Sequence, residues 1–188
     1  HDRFKRIKIK FIADPLKLSP KGMFEIAEYK KAQLKSSQAE NIDEPDKICL
    51  ISDVDHFIDE LIEIKPKCDS NNFHLIISNP CFEVWLYYAY CSSIPDFKMP
   101  ENYLKISWQF KGWLNTKIKG GVNPKTAIFK IKQNIENAKT NYEIDEYNMP
   151  TLFSTSMFEL AECLLPLIST ELIELNEENN SKKFKTQE

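Results

Sequence analysis

Two carboxylates two residues apart, Asp53 and Asp55, follow directly on the apolar run Ile48-Cys-Leu-Ile-Ser52 and precede His56. A buried strand brings acids to its carboxyl end in this way, and alternate residues can reach one ion where the strand unwinds. An all-oxygen donor set suits a hard divalent cation such as Mg²⁺ or Mn²⁺. The same pair has a plainer reading, in which the acids accept from the free amides at the start of the next helix. Glu83 is the only charged residue between Leu75 and Tyr90. A carboxylate in so apolar a run needs a partner, and a metal ion, a lysine or a helix amino terminus could each serve. Asp53, Asp55 and Glu83 are thus the candidate catalytic and metal-binding acids. His56 reads as a surface or capping histidine, and Asn79-Pro80 as an N-cap with proline at the first helical position.

A second feature is basic. From Tyr103 to Lys139 the chain carries eight lysines, Lys105, Lys111, Lys117, Lys119, Lys125, Lys130, Lys132 and Lys139, against one acid, Glu136. The local charge of +7 leaves −10 for the remainder, since the whole chain sums to −3. Trp108, Phe110, Trp113 and Phe129 are interleaved with these lysines. Lysines on helices commonly form a solvated face, and tryptophans commonly fill a core. The scarcity of acids over the whole stretch points instead to nucleic acid, with Lys111, Lys117, Lys119, Lys125, Lys139 and Trp113 as candidate contacts and Trp108 as an alternative stacking surface. Lys111 is the first choice for a catalytic cation. None of the seven tyrosines stands out as a nucleophile, so hydrolysis is favoured over strand transfer.

The elements that would position these residues alternate. A half-exposed strand is expected from Lys5 to Ile12, a helix from Ser19-Pro20 to Leu34, and a polar loop from Ser36 to Asp46. A strand from Lys47 to Ser52 follows, then a helix over Phe57 to Ile64 that Pro66 terminates. The next strand, Phe73 to Ser78, leads into a buried helix from Pro80 to Cys91. This β-α-β-α-β-α order implies a mainly parallel sheet with helices on its faces. The carboxyl-terminal half reads as helical, broken at Gly120-Gly121. Ser156-Met-Phe-Glu159 has the form of a capping box, and Pro166 is expected to kink or end the helix that it starts. Residues 1–175 are expected to form one α/β domain, and 176–188 a polar, flexible tail.

Composition sets the broad class. An apolar content of 42% over 188 residues suffices for one well-buried domain. Five cysteines, odd in number and without a Cys-x-x-Cys pair, indicate neither a disulfide framework nor a zinc site, and suggest a reducing cytoplasm. No apolar run approaches the ~18 residues of a membrane span. The chain begins at His1 without a methionine, and is expected to start partway through its natural protein.

The segment Ser78-Asn-Pro-Cys-Phe-Glu83-Val-Trp85-Leu86, together with Asp53-Val-Asp55-His56, resembles the RloB-like family of prokaryotic defence loci. Gly120-Gly121, Asn137-Ala138-Lys139 and Met149-Pro150 through Leu164 resemble its later segments. The resemblance implies a Toprim-like three-layer α/β fold, similar in motif order to OLD-type nucleases, in which an early glutamate and a later Asp-x-Asp bind the metal. It assigns the Asp-x-Asp role to Asp53 and Asp55, with Glu83 as a further ligand or orienting group. It also implies an antiphage nuclease acting on DNA or RNA beside an ABC/AAA-type ATPase. The family's glutamate-bearing turn should precede Phe4, and Glu25 and Glu28 do not match it. The alternative is a catalytically inactive module that docks a partner ATPase or nucleic acid.

Overall fold

The computed structural model describes residues 19–37, 47–118 and 121–185. The strand expected over residues 5–12 lies outside them. The first helix, α1, is Pro20–Ser37. Strand β1 is Cys49–Asp53, helix α2 is Ile58–Ser70 and strand β2 is His74–Ser78. The two strands pair in parallel, Leu50 opposite Leu75 and Asp53 opposite Ser78. This is the βαβ geometry that the alternation of apolar runs implies.

Side chains alternate across the strands and so divide the interior. Leu50, Phe73 and Ile77 face a core filled by Phe24 and Ala27 of α1 and by Leu61, Ile64 and Cys68 of α2. Ile51 and Asp53 therefore point to the other side of the sheet. Beyond β2 the chain enters helix α3, Glu83–Tyr88, in which Val84, Trp85, Leu86, Tyr87 and Tyr88 are all buried. A helix of six residues does not hold itself together in water, so α3 exists because its neighbours pack on it. These are α4 (Ile106–Lys117), α6 (Ile131–Thr140) and α7 (Met157–Lys185); the short α5 (Pro124–Ala127) leads into α6. Phe110, Leu114, Ile135, Ala138 and Phe158 are buried in the same cluster. The Tyr88 hydroxyl donates to the Phe153 carbonyl at 2.9 Å, which ties α3 to the chain just before α7.

Several local expectations are corrected. Pro66 and Pro166 do not end their helices but lie inside α2 and α7. Burial of Leu61, Ile64 and Cys68 along one stripe of α2 outweighs the roughly 3 kcal/mol that a proline costs within a helix. Helix α7 continues through the polar stretch after Asn176 to Lys185. The helix expected from Pro80 to Cys91 is shorter, because residues 79–82 are spent on a turn. The Asn79-Pro80 bond is cis. Asn79 caps nothing: its side-chain amide donates to the Pro150 carbonyl at 2.8 Å, and its backbone exchanges hydrogen bonds with Phe153 and Ser154.

Ser156 is the most informative correction. Instead of capping α7 through Glu159, its hydroxyl accepts from the Ile77 amide at 2.9 Å, and its own amide donates to the Ile77 carbonyl. Ser78 and Thr155 form an antiparallel bridge beside it. Residues 154–156 thus cover the edge of β2 that β1 leaves open, while Thr155 Oγ1 accepts from the Met157 amide at the start of α7. No helix among the described residues is long and apolar enough to cross a membrane. Ser156→Ala leaves the Ile77 amide without this acceptor inside the protein and should cost about 1–3 kcal/mol of stability, whereas Glu159→Gln on the exposed face should stay within ~0.5 kcal/mol. Urea denaturation of the two variants distinguishes this arrangement from a capping box, which would make both costly.

Candidate active site

The site forms where the parallel strands stop. The Val54 amide donates to the Ser78 carbonyl and the Asp55 amide to the Pro80 carbonyl, so the two chains run side by side for two residues beyond the sheet. Asp55 then turns the backbone with a left-handed φ of 39°, a conformation that aspartate tolerates better than most residues. Phe57, which has no capping side chain, precedes α2. The capping reading of the Asp-x-Asp is therefore not realised, and both acids point elsewhere.

Asp53 Oδ1 accepts from the Phe82 amide at 2.7 Å, across from β1 to the residue that precedes α3. Glu83 follows immediately. Its Oε2 is buried without a hydrogen bond, and its compensation is an ion pair with Lys111 Nζ of α4 at 3.4 Å. Asp55 meets α4 one turn earlier, where the Ser107 hydroxyl donates to Asp55 Oδ1 at 3.2 Å. His56 Nδ1 stands 3.5 Å from Asp55 Oδ2, and both side chains are substantially exposed. One helix thus touches two of the three acids, Asp55 and Glu83.

Electrostatics ties the group together. Burial pushes the Asp53 carboxyl up to about 6, against the Phe82 amide and Lys111, which lower it, and with Glu83 and Asp55, which raise it further. For Lys111, burial opposes the charge, but Glu83, Cys81 and Asp53 outweigh it and hold the ammonium above its ordinary range. The Cys81 thiol is pushed up strongly by burial and by neighbouring Glu83, which makes it a filler of the floor and not a nucleophile. Asp53, Glu83 and Lys111 thus sense one another, with Asp55 alongside.

Whether this set fits a metal is a matter of donors and of spacing. Hard oxygen donors, one of them an orphaned buried carboxylate oxygen, are what Mg²⁺ or Mn²⁺ requires. Spacing is less favourable: among the described residues no three His, Cys, Asp or Glu side chains are gathered closely enough to hold a metal ion. Asp53 and Glu83 are the pair that could begin such a shell.

The other expected contacts are scattered. Lys117 stands 5.8 Å from the ring centroid of Trp113. Lys139 pairs with Glu162 of α7 at 2.6 Å and is not among the cations of the acidic edge. Lys119 lies outside the described residues, and Lys125 is described only as a position in α5. Trp113 is half-buried, stacked on Phe110 at 5.6 Å and against Tyr87 and Phe97, whereas Trp108 stands free. Ser107 and Phe82 were not legible as site residues. A serine and a main-chain amide carry no sequence mark of the acid that they meet 52 and 29 positions away.

A family profile for RloB-like proteins matches residues 2–164. The chain belongs to the RloB-like protein family. That match spans the Asp-x-Asp, Glu83 and α4 together, so the residues of the acidic edge lie within the RloB-like region. No curated protein and no solved structure gives a match.

The raised Asp53 sets a pH dependence. The folded protein holds this proton more tightly than the unfolded chain, so the stabilisation is complete below about 3.8 and is lost as pH climbs through about 6. Above that range the ionised Asp53 costs stability. The full shift would correspond to about 3 kcal/mol, and solvent screening of a partly exposed group reduces it to about 1–2. Asp53→Asn should therefore gain about 1–2 kcal/mol over the wild type at pH 7.5 and nothing at pH 4, as measured by denaturation in metal-free buffer.

Proposed function

We propose that this RloB-like protein is an antiphage defence effector with a Toprim-type, Mg²⁺-dependent nuclease centre that hydrolyses phosphodiester bonds of DNA or RNA. In this reading it is cytoplasmic and works with an ABC/AAA-type ATPase. The observation that carries the proposal is the Glu83–Lys111 ion pair close enough to act on Asp53 at the carboxyl ends of two parallel strands, the edge at which open α/β sheets hold their ligands. Family membership supports the defence role and the partner.

The residues divide the work. Asp53 and Glu83 would hold the cation, with Asp55 oriented by Ser107 beside them. The bound ion would supply Lewis acidity toward a phosphate oxygen and a more acidic water. Lys111, relieved of Glu83, is the ammonium placed to neutralise charge growing on the phosphate. Asp53 must give up its proton for this work, so metal affinity should rise steeply from pH 5 to pH 7.

The second reading is a binding module without catalysis. It is favoured by a specific observation: Glu83 already has its counter-ion in Lys111, and among the described residues no three acids are gathered closely enough to hold a metal ion. The two readings part on metal titration. A nuclease should show a rise in Tm with Mg²⁺ or Mn²⁺ that Asp53→Asn and Glu83→Gln abolish. It should also cleave labelled oligonucleotides, with Lys111→Ala slowing cleavage roughly a hundredfold. A module should show neither effect, yet bind nucleic acid or a purified ATPase through Lys111 and its neighbours.

A further inference from the structure

Trp108 is 75% exposed, more than any other large apolar side chain among the described residues. It sits on the outer face of α4, three positions before Lys111 and one turn before Gly112. Gly112 has no structural reason to be glycine. A Cβ built there meets nothing within 4 Å, and the backbone is not left-handed. Glycine inside a helix weakens it, so the useful product of this position is the space that it leaves.

That space is an open cleft of about 630 Å³ walled by Trp108, Trp113, Phe97, Gln109 and Lys111. Its sides are aromatic, and its rim carries the Gln109 and Asn115 amides, each able to donate and to accept. The lysine in its lining, Lys111, is the one that pairs with Glu83. From Ile106 to Lys117 there is no acid, and Lys117 lies 5.8 Å from the ring of Trp113 in the cleft wall.

We infer that this cleft is a nucleobase subsite, which takes one unpaired base of a single-stranded RNA or DNA, stacked on Trp108, beside the phosphate that Lys111 contacts. The inference rests on the nuclease reading for the polymer and deepens it by naming the substrate class. A duplex presents phosphates outward and keeps its base faces stacked on each other, so it has no use for an exposed indole. An unpaired base offers one face to Trp108, its edge to amides and its phosphate to a cation. A helix that walls the cleft with lysines and no acid favours this polyanion over an ordinary protein surface.

The test is binding in EDTA at low salt, with labelled oligo(dT) and oligo(rU) of about 12 nucleotides and a duplex of equal length. Single strands should bind more tightly than duplex and quench tryptophan fluorescence. Trp108→Ala should weaken single-strand binding roughly tenfold and remove most of the quench, Trp108→Phe should retain most of the affinity, and duplex binding should be unchanged in both. Gly112→Leu, for which the backbone has room, should fill the cleft and weaken single-strand binding without lowering Tm. Equal affinity for duplex, or single-strand binding indifferent to both Trp108→Ala and Gly112→Leu, overturns the subsite. So does the absence of any oligonucleotide binding, with a purified ATPase partner binding in a Trp108-dependent manner instead. Because no metal is present, intact single-strand binding without cleavage in a parallel Mg²⁺ assay would overturn the nuclease reading alone. Cleavage of duplex without single-strand preference would overturn the subsite alone.

Discussion

Asp53 and Glu83 stand partly withdrawn from water on adjoining segments, and Lys111 pairs with Glu83 while lowering the proton affinity of Asp53. Removing a carboxylate from solvent without compensation is costly, and like charges nearby add to the cost. The chain answers with three devices of unequal strength. The Phe82 amide serves Asp53, the Lys111 ammonium serves Glu83, and the raised proton affinity of Asp53 relieves what remains.

Helix α4 is the element on which this balance turns. Its buried stripe, Ile106, Phe110 and Leu114, anchors it in the larger core. That anchoring fixes Ser107 against Asp55 and Lys111 against Glu83, four residues apart on one face of the helix. Trp113 joins the aromatic cluster with Phe97 and Phe110, so the same helix cannot rotate to relieve a poor contact at the acids without breaking ring contacts at its far end.

The strands and their parallel order were legible because Ile48-Cys-Leu-Ile and Phe73 to Ile77 are short apolar runs bounded by polar residues, and such runs are strands wherever they are covered on both faces. The acids could be located for the same reason, since Asp53 and Glu83 interrupt apolar sequence. What was not legible are contacts between segments far apart in the chain. Ser156 looks like a cap because its neighbours suit one, but Ile77, 79 positions earlier, makes a better claim on its hydroxyl. Asn79-Pro80 looks like a helix start, yet residues 150–154 hold Asn79 away from that role. Pro66 and Pro166 mislead for a related reason: local propensity is a weak prior once one face of a helix is packed. Spacing along a chain also says nothing about which lysine finds an acid first, as Lys139 does with Glu162.

The pairing of Asp53 with Ser78 has an implication for folding itself. Strand side chains alternate, so sliding β1 by one residue would turn Asp53 inward among Phe73, Ile77 and Leu61, and bring Leu50 and Val54 out. Burying a carboxylate there would cost far more than a slipped pairing of four apolar residues could recover. The acid is thus a lock on register. Its charge rejects the mispaired sheet at the moment the strands first meet.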